Sequence, residues 1–463
     1  MPLSFSWNVE FCSPKRQAKL IKHTAIVLLF IATGFSNLRA QRVLTLDSVY
    51  SIAVTGSPEL PPARLAVQQA ELGRREVLLP PFPALHYKAG ASYAPTGRNW
   101  GYDPAITNEG QVNGQLSIAG TIYQGGRRFK RQQADLDVMH AQASLSLTQE
   151  NLRFEISQSF LDALRAQGTA RIERESIAEL TAYRDFVERL FKGGAAAYTD
   201  LLKTEVQLGT EEIALDKALA EAIQAKFAIA ALMGSPSDTS FSIRGSYDSV
   251  LRNPEFTIAD YDSLITLSIS LAQNELDRAK LDIELAKAQT KPTIDINLDA
   301  GLLTSVQNLT APPGERNGML GASAGITIEG PILDWGLNKI QVQEKQVAAQ
   351  MLEAELNRQK RELRAQLVQL QLLMRTARER LVQIRDNLKK AMDAYELEKA
   401  KYAVGGALAS EVLDAHKQIT DTKLAELDIL NDIETYRANL THLTAKPSTN
   451  TNANANTNSQ NGQ

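Results

Sequence analysis

Two stretches of this chain, 127–190 and 337–402, contain no proline, and Gly168 is the one glycine in either. As helices of about 65 residues they would each reach about 95–100 Å at 1.5 Å per residue. Globular helices average about a dozen residues, so a compact globule of ordinary layers is excluded. Apolar residues in the second stretch fall at alternating spacings of three and four, as in Leu363, Leu367, Leu370 and Met374, then Leu381, Ile384, Leu388, Met392 and Tyr395. The first stretch does the same with Leu152, Ile156, Phe160 and Leu164, and again with Leu180, Tyr183, Phe186 and Leu190. Such seams pack helices lengthwise in coiled-coil manner.

Each stretch ends in the same motif. Phe191-Lys-Gly-Gly194 is followed by Asp200-Leu-Leu, and Tyr402-Ala-Val-Gly405, 211 residues later (402 − 191), is followed by Glu411-Val-Leu. A repeat this long is not a solenoid unit; it marks two large halves. A second helix follows each motif, over Tyr198–Met233 and Ala409–Thr444, so the motif is the turn of a long helical hairpin. A helix also opens each half, Leu46–Leu79 and Thr257–Thr290. The first is interrupted by Pro58, Pro61 and Pro62 and is expected to start properly only after them. The division that follows is a first repeat at 41–233, a connector at 234–255 rich in Ser, Asp, Gly and Pro, and a second repeat at 256–446. A disordered Asn/Thr-rich tail at 447–463 ends the chain.

Four segments switch to a period of two, at about 84–94, 112–123, 292–303 and 319–330. In the third, for example, Ile294, Ile296, Leu298, Ala300 and Leu302 alternate with Asp295, Asn297, Asp299 and Gly301. Polar, Gly-containing loops at Pro95–Gly110 and Thr304–Gly318 separate each pair. Length and pattern suit transmembrane strands, although alternating strands also build soluble sheets. A soluble sheet needs an apolar cover, and the helices are already committed to one another. Open edges are not tolerated in hydrocarbon and known barrels start at eight strands. Four strands must therefore be completed by other copies, two giving eight or three giving twelve.

The N-terminus reads as a signal peptide at 1–40: Lys15, Arg16, Lys19 and Lys22 precede the apolar run 25–31, and Leu38-Arg-Ala40 offers a cleavage site. A membrane anchor is the competing reading, but the run is shorter than the roughly 20 residues that span a bilayer. Cys12, the one cysteine, precedes that run, so the mature chain has no disulfide or thiolate site. Fifty basic against 53 acidic residues leave no basic field for nucleic acid. His86, His140, His416 and His442 show no metal-ligand spacing and read as barrel or helix-surface residues. No catalytic, cofactor or metal site is expected.

A signal peptide, paired strands feeding long helical hairpins, and two such halves together resemble the TolC family of outer membrane efflux proteins over about Val43 to Leu443. The hairpin turns with Gly194 and Gly405 carry the resemblance. So do the strand-to-helix junctions, Ile122-Tyr-Gln-Gly-Gly126 and Pro331-Ile-Leu-Asp-Trp335-Gly336. The resemblance implies a mainly α fold with membrane β. It implies a homotrimer whose twelve-stranded outer membrane barrel, four strands per chain, continues into a periplasmic α-helical barrel. It also implies an exit duct of an efflux or type I secretion system in the outer membrane of a Gram-negative bacterium. Its partners would be a periplasmic adaptor and an inner membrane transporter of RND, ABC or MFS type. A periplasmic adaptor or a coiled-coil scaffold is the alternative, but an adaptor would not show two equivalent halves and a scaffold does not explain the strands.

By the same resemblance the second turn lies at a periplasmic gate. Glu411 and Asp414, three apart and so on one helical face, would form acidic rings that favour cations. Glu411 also suits a local role at a helix N-terminus. Tyr402 and Asp200 are candidates for a latch between inner and outer helices. The family's best-known latch has an arginine where this chain has Ala407, so the resemblance does not imply a cation-anchored closed state; packing of Leu408 and Val412 is the expected substitute. The first turn has Lys203 in place of a second acid. Nothing in the sequence assigns a cargo.

Overall fold

A computed structural model describes residues 42–79, 83–93, 110–247, 265–305, 312 and 319–447. The signal peptide, most of both strand-connecting loops, residues 257–264 and the tail beyond 447 lie outside the described residues. The described elements are β1 (Arg42–Leu44), α1 (Leu46–Gly56), α2 (Leu60–Leu78), β2 (Ala84–Tyr93), β3 (Gly110–Gln124), α3 (Arg127–Lys192), α4 (Tyr198–Leu232) and β4 (Phe241–Ile243). They continue with α5 (Leu267–Ala288), β5 (Thr293–Ser305), β6 (Met319–Glu329), α6 (Leu337–Ala403) and α7 (Ala409–Leu443). Opening helix, two strands, long helix and return helix thus occur in the same order twice.

The long helices have 66 and 67 residues, about 100 Å each. They stand because their apolar seams are buried: Leu152, Ile156, Phe160 and Leu180 on α3, and Leu367, Leu370, Met374 and Leu381 on α6. The proline cluster acts differently from the expectation. Pro61 and Pro62 occupy the first turn of α2, where their missing N–H groups cost nothing, and the segment before them is itself a helix, capped by Thr45 through its side chain. The prolines split one helix into two rather than delaying its start.

The strands form one antiparallel sheet in the order β2-β3-β5-β6. Its register places Tyr87, Leu116 and Ala300 side by side, and likewise Leu85, Ile118, Leu298 and Ala324. One face is therefore apolar across all four strands, and Leu85, Tyr87, Leu320, Ile326 and Ile328 on it are exposed. The opposite face is polar and internally bonded. Gln115 Nε2 donates to Asp299 Oδ1 at 2.8 Å and Thr121 Oγ1 to Asp295 Oδ1 at 2.6 Å. A bulge between Thr121 and Tyr123 shifts the register beside the junction with α3, the kind of irregularity that bends a strand.

The connector holds more structure than its composition suggested. Residues 241–243 form β4, which pairs in parallel with β1. Beneath this pair Leu44, Val49, Ala53, Leu60, Leu152, Ile156, Ile229, Met233, Phe241 and Ile243 form one buried cluster.

Candidate functional site

Both hairpin tips are built the same way. At the end of α3, Gly194 donates to the Phe191 carbonyl at 2.9 Å and Ala195 to Leu190 at 2.8 Å; at the end of α6, Gly405 donates to Tyr402 at 3.0 Å and Gly406 to Lys401 at 2.9 Å. These paired bonds satisfy helix-end carbonyls and require a left-handed residue. Gly194 and Gly405 supply it at φ 76° and 77°.

The acids after the two turns do different work. Tyr402 is buried, and its hydroxyl donates to Asp200 Oδ2 at 3.2 Å, joining the end of α6 to the start of α4. Its ring packs edge-on to Phe186 and tilted to Tyr183, with centroids 6.4 and 6.0 Å apart. Burial first, then the Asp200 carboxylate, pushes the Tyr402 phenol up to about 12, so it remains a donor at any physiological pH. Glu411 instead turns back on its own helix, where Oε2 accepts the Leu408 N–H at 2.9 Å. Leu408 has no side-chain acceptor to return, so this is half of a capping box.

Around these contacts Leu180, Tyr183, Val187, Leu201, Tyr395, Tyr402, Ala409, Val412 and Leu413 form a core that ties both tips together. Val412 is fully buried there and Ala407 lies against it, whereas Leu408 is exposed. Asp414 is exposed and lines a groove of about 360 Å³ between α4 and α7, with Leu202, Lys203, Val206, Gln207, Ser410 and Leu413. Lys203, read in sequence as a mark of the other tip, shares this groove with Asp414.

Above the tips, polar groups meet where α7 crosses α3. Ser176 Oγ and Thr420 Oγ1 lie 3.1 Å apart, and Lys423 Nζ stands 3.7 Å from both Glu175 and Glu179. His416 is 1% exposed, not a surface residue as expected from sequence, and its ring packs edge-on against Tyr395 at 5.5 Å. Its burial follows from its place three residues before Ile419 and four after Val412, on the apolar stripe of α7.

The strand-to-helix junctions also differ. At β6–α6, Pro331 precedes a turn in which Trp335 has φ 52° and Gly336 φ 88°. Asp334 holds it, Oδ1 accepting the Gly336 N–H and Oδ2 the Asn338 N–H, both at 3.0 Å. Those backbone donors keep the Asp334 carboxyl below its usual range. Asp334 was legible only as part of the motif; its capping role comes from the geometry. At β3–α3, Gly125 and Gly126 press on the end of α5, where a Cβ on Gly125 would overlap Lys291 and the Ala288 carbonyl. Gly336 meets nothing comparable, and Trp335 is exposed.

The family model described as outer membrane efflux protein matches residues 49–235 and 266–446. A search of curated proteins found no match. Among solved structures, CusC superposes with a TM-score of 0.74 at 17% identity, over 87% of this chain and 92% of that one. VceC of Vibrio cholerae gives 0.71 at 16%, over 87% and 96%. The Campylobacter jejuni CmeC outer membrane channel gives 0.69 at 15%, over 90% of both chains. Two matched halves, the shared fold and an exposed apolar sheet face on a bundle of 100 Å helices lead to one statement: the chain belongs to the outer membrane efflux protein family, located in the outer membrane and extending into the periplasm as an efflux duct.

Proposed function

We propose that three copies of the chain form a continuous duct, with a twelve-stranded barrel (3 × 4) in the outer membrane and a helical barrel below it, closed at the hairpin tips. The observation that carries this reading is an unfilled repeat. Within the chain, α3 packs against α5 and α7 of the second half, while α6 packs against α5 and α7 of its own half. The α7 residues His416, Thr420 and Leu427, on the flank toward α3, correspond after subtracting 211 to Glu205, Gly209 and Asp216 on α4. On that same flank of α4, Val206 and Ile213 are 71% and 72% exposed, and Leu202 and Phe227 extend the stripe. On α6, Val347, Met351, Val368 and Leu372 form a second exposed stripe.

Two apolar heptad seams on a single chain cost too much to leave in water. A second copy covers both by repeating the α3–α7 contact as α6 against α4. The sheet repeats the pattern. β3 pairs with β5 between halves, so the free edges of β6 and of a neighbour's β2 pair between chains. Lipid covers the apolar face, and the polar face with Asp295 and Asp299 lines the lumen.

At the periplasmic end, Glu411 and Asp414 place six carboxylates about a threefold axis and favour cations. Tyr402 and Asp200 act as the latch between hairpins, with Val412 and Ala407 packed beside it. The groove holding Lys203 and Asp414 is where a periplasmic adaptor docks, with an inner membrane transporter beyond it. The test is the mass of the detergent-extracted protein by light scattering together with its conductance in planar bilayers. Three chains and a cation-preferring pore are expected; a monomer without conductance defeats the reading.

A further inference from the structure

Three buried groups near the crossing of α3, α4 and α7 have no role in the duct as described. Glu173 on α3 is 4% exposed, Glu211 on α4 6%, and His416 on α7 1%. Glu173 Oε2 and both ring nitrogens of His416 have no hydrogen-bond partner. His416 Nε2 stands 3.3 Å from Glu179 Oε2, close enough for attraction but not aligned for a bond. Glu211 is held by Gln207, whose Nε2 donates to Oε1 at 3.0 Å.

A carboxylate with one oxygen unpartnered in so dry a site is costly. A proton on Glu173 removes the charge and gives it a donor for the neighbouring Glu211 carboxylate. An imidazolium at His416 would likewise need two aligned acceptors, since both nitrogens then donate, and it has none.

We propose that this crossing stores one proton on the Glu173–Glu211 pair while leaving His416 neutral, and that this distribution positions α7, and with it the second hairpin, against the first. Facing the three groups are Glu175 and Glu179 from α3, Tyr395 from α6, and Lys417, Asp421 and Lys423 from α7. Lys417 is taken up by Asp421 at 2.8 Å, and Lys423 by Glu175 and Glu179. Among the described residues both lysines are thus engaged by carboxylates other than Glu173, Lys417 being drawn also toward Glu211. Burial, then the hydrogen bond and charge of Glu211, push the Glu173 carboxyl up to about 7. Burial pushes His416 below its usual value despite Glu179 and Glu211.

The signs are opposite. Glu173 holds a proton that the separated chain releases above pH 4.5, so its contribution falls as pH rises from 4.5 to about 7. His416 refuses a proton that the separated chain binds below pH 6.5, so its contribution falls as pH drops below 6.5. Between 4.5 and 6.5 the two slopes oppose, so each group blunts the response to pH that the other would give alone.

The experiment is the thermal midpoint of the full-length, detergent-extracted protein from pH 4.5 to 7.5 in three forms. Below 6.5 the parent should change less steeply than the Glu173 variant. Glu173→Gln, nearly isosteric, should lose midpoint as pH falls below 6.5. His416→Phe, which keeps a ring against Tyr395, should lose midpoint as pH rises toward 7. Should either protein fail to fold, Glu173→Met and His416→Asn replace it with the same expected signs. Profiles parallel to the parent, or shifts of one sign in both variants, overturn the proposal. Conductance recorded on the same variants separates this inference from the proposed gate, on which its functional effect rests. Opposite midpoint slopes with unchanged gating would keep the stored proton and remove the gate reading.

Discussion

The two hairpin tips share a backbone and differ in what their acids do. Each ends a helix with a left-handed glycine and the same pair of hydrogen bonds. Asp200 then faces across to the other hairpin, accepting from Tyr402, while Glu411 serves its own helix and Asp414 opens onto a groove. Identical turns thus carry one acid that couples and two that line a surface. The turn fixes where a side chain starts; the neighbouring helix decides what it meets.

The widest test of this asymmetry is assembly. Val368→Glu with Leu372→Glu on the uncovered flank of α6 should abolish the proposed trimer in light scattering while leaving helix content by circular dichroism intact. Burying two carboxylates without partners is prohibitive, so a persistent trimer would show that this flank faces elsewhere. Next comes selectivity. Glu411→Ala with Asp414→Ala should remove most of the cation preference in bilayers, whereas Asp200→Asn should leave preference unchanged and raise open probability. Equal losses from both variants would erase the distinction between the tips.

Smaller effects probe the shared backbone and the latch. Gly194→Val and Gly405→Val should each destabilise by about 1–2 kcal/mol, the cost of a left-handed β-branched residue. A Cβ at either glycine meets no neighbouring atom, so strain alone acts and the two melting shifts should match. Tyr402→Phe should cost about 0.5–1.5 kcal/mol, the net worth of one hydrogen bond. In a double-mutant cycle with Asp200→Ala, which removes the acceptor, that loss should not add; full additivity would uncouple the pair.

Much of this architecture was legible because it rests on local rules. Absence of proline and spacing of Leu367, Leu370 and Met374 marked α6 nearly to its ends, and strict alternation marked β5. Tyr402 and Asp200, 202 positions apart, were found only through family resemblance, and the structure brings them together. What stayed hidden depends on distant partners. The three-residue strands β1 and β4 are too short to alternate and exist through pairing across the first half. His416 sits at the spacing of the α7 stripe, but the partners that enclose it, Glu179 and Tyr395, come from other helices. Asp414 and Lys203 looked like marks of separate tips until one groove joined them.

The parallel pairing of β1 with β4 bears on the order in which the chain acquires structure. Every residue of the cluster beneath it, from Leu44 to Ile243, precedes the second repeat. In a chain that emerges from its N-terminus, all parts of that cluster are present once residue 243 is out, before α5, β5 or α6 has emerged. Away from the tips the clusters that involve α5, α6 and α7 are smaller and scattered. The region around β1 and β4 can therefore fold early, whereas the core at the tips, built from both halves, has to wait for α6 and α7.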